Sequence, residues 1–217
     1  MAEKGLDLAQ ADKDWEYLKQ IADNPTSTGW KEEKNNKNDG VIVYSRVCDD
    51  QAKNIIEFRG DGEVDASVQL CSDIVNDADS RVKWETTMEN YHILWRGENG
   101  YHACYNQSKS VIGGVISSRD FITLNVIRPT ESGVVISAGS STNAKLIDEK
   151  PGVVRGWCYP CGWIMTPINE NKTKIIYIMR SDLKGILPVW AANQGFVGVL
   201  DQWFGKFKTE IKKRQSK

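Results

Sequence analysis

Histidine is nearly absent from this chain. His92 and His102 are the only two, neither sits in a metal-binding motif, and no GxSxG or HExxH sequence occurs. The common signatures of serine hydrolases and zinc peptidases are therefore missing. No charge dominates: 28 Lys and Arg face 29 Asp and Glu, a net charge of −1, so no global field draws the chain to nucleic acid. No run reaches the roughly 18 apolar residues of a membrane span. Residues 1–10 carry charges and lack the apolar core of a signal peptide. Cys48, Cys71, Cys104, Cys158 and Cys161 form an odd set without framework spacing. Cys158-Tyr-Pro-Cys161 has the form CxxC, but no second pair completes a zinc site. Asn106-Gln-Ser108 and Asn171-Lys-Thr173 match the glycosylation sequon, which carries little weight without a signal peptide. Internal repeats and low-complexity tracts are absent too. These absences lead us to expect a cytoplasmic protein with no cofactor and no metal.

What is present is a chain of 217 residues, suited to one domain spanning 1–217 that buries about 70% of its unfolded surface. Its most telling feature is the last segment. After Pro188, Val189, Phe196, Leu200, Trp203, Phe207 and Ile211 recur at helical spacing, and Trp190, Val197 and Phe204 widen the stripe to nearly half the circumference. Gly195, Gly198 and Gly205 each cost such a helix about 1 kcal/mol relative to Ala. It must therefore be held by what its broad apolar face covers.

Upstream, residues 6–22 read as a first helix, 24–40 as a long polar connection, and 41–47 and 54–60 as half-buried strands. A second helix opens at Asp65, placed to cap it. Strands are expected over 91–96, 101–108, 121–128, 134–141, 153–166 and 174–182, separated by turn residues such as Glu98-Asn-Gly100. Short turns between strands imply an antiparallel sheet. The order predicts an α+β fold in which a curved antiparallel sheet wraps around the long C-terminal helix.

A twisted sheet of eight or more strands tends to curl, and a helix that incompletely fills it leaves a ligand-sized hollow. Alternation puts Cys104, Asn106 and Ser108 on one strand face, and Phe121, Thr123, Asn125 and Ile127 on one face of another. An asparagine in an apolar cavity needs a partner, since an unsatisfied buried polar group costs about 1–3 kcal/mol. Solvent exposure of these asparagines is equally consistent with alternation.

Three motifs carry a resemblance that covers nearly the whole chain: Ile116-Ser-Ser-Arg119-Asp120-Phe121, Asp182-Leu-Lys-Gly185-Ile-Leu-Pro188, and Val82-Lys83-Trp84. In order and spacing they resemble a START domain, the steroidogenic-acute-regulatory-related lipid-transfer family. Lys150-Pro-Gly-Val-Val-Arg155-Gly, continuing to Pro160-Cys161-Gly162, is similar to the small soluble members that bind sterols and bile acids. The resemblance implies a helix-grip fold, an internal tunnel for one lipid, exchange of that lipid between membranes, and no catalysis. The ligand-binding residues it implies, taken with the face pattern, are Cys104, Asn106, Ser108, Phe121, Thr123, Asn125, Asn193, Phe196, Leu200 and Trp203. The resemblance also places a gate over Val111, Ile112, Gly113, Gly114, Val115 and Ile116. Arg119-Asp120 is expected to anchor the following strand by ion pairs, away from ligand. Several sterol-binding members carry an acidic residue and an arginine in the tunnel where this chain has Asn106 and Asn125. Two neutral amides cost less to bury than two ions, which leaves an oxysterol, a bile acid or another polar-ended lipid open.

The expected partners are a steroid or other lipid ligand and, transiently, a membrane surface, with the protein acting as a monomer and binding no nucleic acid. The basic end (Lys206, Lys208, Lys212, Lys213, Arg214, Lys217) reads either as a solvated helix face or as a contact with anionic headgroups. Rival functions are a phospholipid carrier, a lipid-sensing interaction module and a helix-grip enzyme.

Overall fold

A computed structural model of the protein describes residues 5–26, 29–48, 55–110, 112–185 and 189–216, with only the backbone for Ile112 and Val189. The chain runs α1 (Leu8–Asp23), β1 (Lys31–Asn36), β2 (Val41–Val47), β3 (Ile56–Val64), α2 (Val68–Asn76), α3 (Ala78–Trp84), β4 (Met88–Arg96) and β5 (Tyr101–Ser108). It continues through β6 (Arg119–Pro129), β7 (Val135–Ser141), β8 (Val154–Arg155), β9 (Trp157–Cys158), β10 (Cys161–Asn169), β11 (Lys172–Asp182) and α4 (Val189–Gln215). The sheet order is β1-β2-β3-β11-β10-β7-β6-β5-β4, antiparallel throughout and open at its two edges. Short β8 lies parallel to β6, and β9 pairs with β11. This curved, unclosed sheet around a C-terminal helix is a helix-grip fold.

Alternation along the central strands sorts the core into two layers. Ile136, Ala138, Ile164, Ile176 and Ile178 pack outward against Leu18 and Ile21 of α1. Met165, Trp163, Ile175 and Tyr177 face inward, toward α4. There Trp203 stacks on Phe207 with ring centroids 4.6 Å apart, and meets Phe204 and Tyr177 at 5.1 Å and Trp84 at 6.0 Å. Such pairs contribute about 0.5–1.5 kcal/mol each beyond the area they bury. The helix end is fastened as well: Arg214 reaches Asp77 at 2.6 Å and Glu210 at 2.9 Å. The Arg214 hydrogen bond, helped by Ser80, holds the Asp77 carboxyl down at about 2. Part of the basic tail is thus committed to the fold, while Lys206 and Lys212 stay exposed.

Four expectations are corrected. The polar stretch 24–40 holds an edge strand, β1, whose residues are exposed apart from half-buried Asn36. An edge wet on both faces shows no alternation, and its charges discourage pairing with a second sheet. Helix α2 is capped by Ser67, whose hydroxyl accepts from the Leu70 amide at 3.2 Å, and not by Asp65. The strand expected over 153–166 is three strands: β8 pairs with β6 and β9 with β11, and Pro160, which offers no amide donor, separates β9 from β10. Trp190 stands 55% exposed, off the buried stripe. Pro188 lies outside the described residues.

Helix α4 approaches β3 closely because Gly60 and Gly62 present no side chain to it. A Cβ on Gly62 would fall 2.7 Å from Cε1 and 2.8 Å from Cδ1 of the buried Phe204 ring. We therefore expect Gly62→Val to lower unfolding stability by about 1–3 kcal/mol through overpacking. Urea denaturation checks this, and the loss should shrink in a Phe204→Leu background; an unchanged midpoint would contradict the packing described.

Candidate functional site

Side-chain size along α4 decides where the interior is filled. Its second half carries Leu200, Trp203, Phe204, Phe207 and Ile211, which close onto the sheet and the two short helices. Its first half offers Ala192, Gly195 and Val199 on the same side, with Phe196 the one large group. Small residues facing a curved sheet leave space that close packing cannot fill. The result is a cavity of about 200 Å³ between α4, the inner faces of β4, β5, β6, β10 and β11, and α3. That is more than ten times what one buried water needs, about 10–15 Å³ on this measure.

The wall is mainly apolar and carries two polar stations. The first is on the strands. β5 and β6 pair so that Cys104 lies opposite Thr123 and Asn106 opposite Phe121. Cys104 Sγ and Thr123 Oγ1 are 3.1 Å apart, and Asn125 Nδ2 donates to Thr123 Oγ1 at 3.0 Å and to Cys104 Sγ at 3.3 Å. Burial raises the pKa of both Cys104 and neighbouring Tyr91, so each stays protonated near neutrality. The Asn106 side chain lines the cavity and makes no hydrogen bond among the described residues.

The second station is on α3. Arg81, 2% exposed, reaches Glu85 at 2.5 Å, one helical turn on, and donates from Nη1 to the Val75 carbonyl at 2.6 Å. Its guanidinium lies 4.8 Å from the Trp163 ring centroid and 5.2 Å from that of Trp84. Burial works against the Arg81 charge and the Glu85 carboxylate beside it works for it, and the balance raises the Arg81 pKa above its ordinary value. Arg81 and Glu85 both line the cavity.

Of the residues expected from the sequence to contact ligand, the structure brings Cys104, Asn106, Ser108, Phe121, Thr123, Asn125 and Phe196 onto one wall. Asn193, Leu200 and Trp203 are not on it. Asn193 sits off the inner stripe of α4, Leu200 packs over Gly60 of β3, and Trp203 is buried in the aromatic stack. Within the expected gate, Val111 and the side chain of Ile112 lie outside the described residues. Gly113 and Gly114 have φ of 60° and 92° and face open space, Val115 is exposed, and Ile116 is buried against the cavity.

Arg119 departs from expectation. Asp120 does pair with Arg155, at 2.7 Å, but Arg119 has no carboxylate partner among the described residues. It is 3% exposed, lines the cavity, and donates to the carbonyls of Ser117 at 2.5 Å and Leu183 at 3.2 Å. It thereby ties the segment after Gly114 to the segment that leads into α4. Sequence reasoning also missed His102, Arg81, Glu85 and Tyr177. Extending the two-residue period from Cys104 back by one step finds His102; a helix as short as α3 has no comparable signal.

Among the described residues no group of three or more His, Cys, Asp or Glu is arranged to hold a metal, and no helix is long and apolar enough to cross a membrane. The START domain family model matches residues 14–204. StAR-related lipid transfer protein 5 of Mus musculus is 25% identical over 191 residues, covering 86% of this chain and 88% of that one. StAR-related lipid transfer protein 6 of Homo sapiens is 26% identical over 166 residues, covering 76% and 74%. The solved structure of human StAR-related lipid transfer protein 5 superposes with a TM-score of 0.86 at 24% identity, over 95% of this chain and 98% of that one.

Burial lowers the His102 pKa, so the folded protein keeps this ring neutral below its ordinary value. The unfolded chain takes up the proton first, near pH 6.5. The stability this group contributes is therefore present above about pH 6.5 and lost as pH falls through the lower folded value. Urea midpoints measured at pH 7.5 and 5 should fall further for the native chain than for His102→Gln; equal falls would contradict the assignment.

Proposed function

The chain belongs to the START domain family, and we propose that it is a non-catalytic carrier of one steroid-type lipid, a sterol, oxysterol or bile acid. The lipid occupies the cavity under α4 and is exchanged between membranes through the cytoplasm. The observation that carries this reading is the cavity itself, an apolar hollow with a few converging polar groups instead of a packed core. A fused-ring lipid with one or two polar ends suits such a wall. Its rings displace nothing polar, and its hydroxyl, keto or carboxylate group meets Asn106, the Cys104–Thr123–Asn125 cluster or the Arg81–Glu85 pair. The names of the relatives, lipid transfer proteins, support the carrier role.

The neutral amides fit best as the discriminating contacts. A polar ligand group that satisfies Asn106 gains a hydrogen bond the amide otherwise lacks, while an apolar ligand leaves it unpaired. Release requires an opening, and we assign it to the segment from Val111 to Ile116. Gly113 and Gly114 there already adopt left-handed backbone with nothing packed on them. Arg119 acts as the clasp, joining the far end of that segment to the approach to α4.

Two results test this. Asn106→Leu and Asn125→Leu should each weaken binding of a hydroxylated steroid by about 1–3 kcal/mol, and binding of its deoxy counterpart much less, measured by quenching of tryptophan fluorescence. Equal losses for both ligands would remove the asparagines from recognition. Arg119→Gln should speed transfer of a fluorescent sterol between donor and acceptor vesicles; an unchanged rate would place the opening elsewhere.

A further inference from the structure

The charges on the cavity wall do not cancel. Among the described residues its ionic side chains are Arg81, Glu85 and Arg119, and burial keeps His102 neutral. Arg81 and Glu85 pair at 2.5 Å. Arg119 remains as one buried positive charge without a carboxylate partner among the described residues. The acidic residues beside it are committed elsewhere. Asp120 pairs with Arg155 at 2.7 Å, and Asp182, next to Leu183, pairs with Lys184 at 2.6 Å.

Strand alternation decides which way this charge faces. Arg119, Phe121, Thr123 and Asn125 share one face of β6, and all four line the cavity. Arg119 Nε donates to the Leu183 carbonyl, and Nη1 donates to the carbonyl and, at 2.8 Å, the hydroxyl of Ser117. For its two hydrogens Nη2 has only the Lys184 carbonyl at 3.5 Å, the outer limit of a hydrogen bond. All of these acceptors are neutral. They serve N–H groups but leave the charge itself uncompensated in a medium where that is costly. Burial accordingly moves the Arg119 pKa below its ordinary value, whereas Arg81 beside Glu85 moves up.

We propose that the cavity takes a lipid carrying a single carboxylate, and that Arg119 is the residue that pairs with it. The proposal rests on the cavity being a lipid site, as argued above. One negative charge brings the wall to neutrality. Nη2 can donate to the carboxylate while Nε and Nη1 keep their hold on Leu183 and Ser117. A hydrogen bond between ionised groups is about twice as strong as one between neutral groups. The apolar body of the lipid then lies against Phe121 and Phe196. A neutral alcohol leaves the guanidinium uncompensated, and a dianion brings one charge too many. The carboxylate can belong to a steroid acid or to a fatty acid, since Arg119 reads the end that the two share.

The test uses the full chain at pH 7.5, with 5β-cholanic acid against its alcohol 5β-cholan-24-ol, and palmitic acid against 1-hexadecanol. Tryptophan quenching reads the affinities. We expect the acid of at least one pair to bind at least about tenfold more tightly than its alcohol. Arg119→Gln should bring that ratio close to one, and Arg119→Lys, which keeps the charge, should retain part of it. Preference within the steroid pair upholds the proposal and names a steroid acid. Preference confined to the fatty pair upholds it and counts against the steroid reading. A 13C label on the carboxyl reads the contact in the unaltered chain even if Arg119→Gln does not fold. The bound carboxyl should titrate at lower pH than the same acid free in dilute solution; an equal or higher midpoint overturns the proposal. Equal binding of acid and alcohol, or a ratio that survives Arg119→Gln, overturns it and leaves the carrier reading standing. Failure of all four lipids to bind overturns it and counts against the carrier reading as well.

Discussion

The stack of Trp203 on Phe207, flanked by Phe204, Tyr177, Trp84 and Trp163, anchors the long helix across the concave face of the sheet. Everything else about the interior follows from where that stack stops. Helix α4 carries three glycines and cannot stand on propensity alone. Its second half is held by aromatic packing and by the Arg214–Asp77 link to the short helices. Its first half is held at a distance from the sheet by the same rigid rod, with only small side chains and Phe196 beneath it. Close approach at Gly60 and Gly62 and a hollow beneath Ala192 and Gly195 are therefore two ends of one lever.

A hollow inside a folded domain forfeits dispersion contacts and is costly unless something fills it. Polar groups on its wall add to that cost when unpaired. This chain satisfies most of them internally. Arg81 is matched by Glu85 and the Val75 carbonyl, Asn125 by Thr123 and Cys104, and Arg119 by backbone carbonyls. The Asn106 amide and the Trp163 indole N–H stand out because no hydrogen bond in the described residues serves them. The cavity thus offers a lipid a few open hydrogen-bonding positions, the Asn106 amide and the Trp163 indole N–H among them, beside a set of already satisfied ones. That arrangement favours ligands with few polar groups over strongly charged ones.

The fold was legible in the sequence wherever a single period repeated over enough residues. Phe196, Leu200, Trp203, Phe207 and Ile211 announced α4, and the alternation of 101–108 announced β5 and the shared face of Cys104, Asn106 and Ser108. It failed where the element was too short or too wet to show a period. Helix α3 spans seven residues and brings Arg81 and Glu85 to the cavity, yet offers fewer than two turns of pattern. Strand β1 has no buried face at all. The helix stripe also could not say which of its members face ligand. Leu200 and Trp203 share a face with Phe196, and only their size, together with the glycines of β3, sends them into the core. The residues alone supplied the sheet, the helix and the expectation of a hollow between them; the motifs that resembled START sequences supplied the lipid and the gate.

The central claim is that the hollow beneath α4 holds one steroid-type lipid. Native mass spectrometry tests it most directly, on protein recovered from cells fed a mixture of sterols, bile acids and phospholipids, with the released ligand identified after denaturation. The account predicts a one-to-one complex with a steroid. A bound phospholipid would contradict the steroid assignment, and protein that emerges empty would contradict the carrier role.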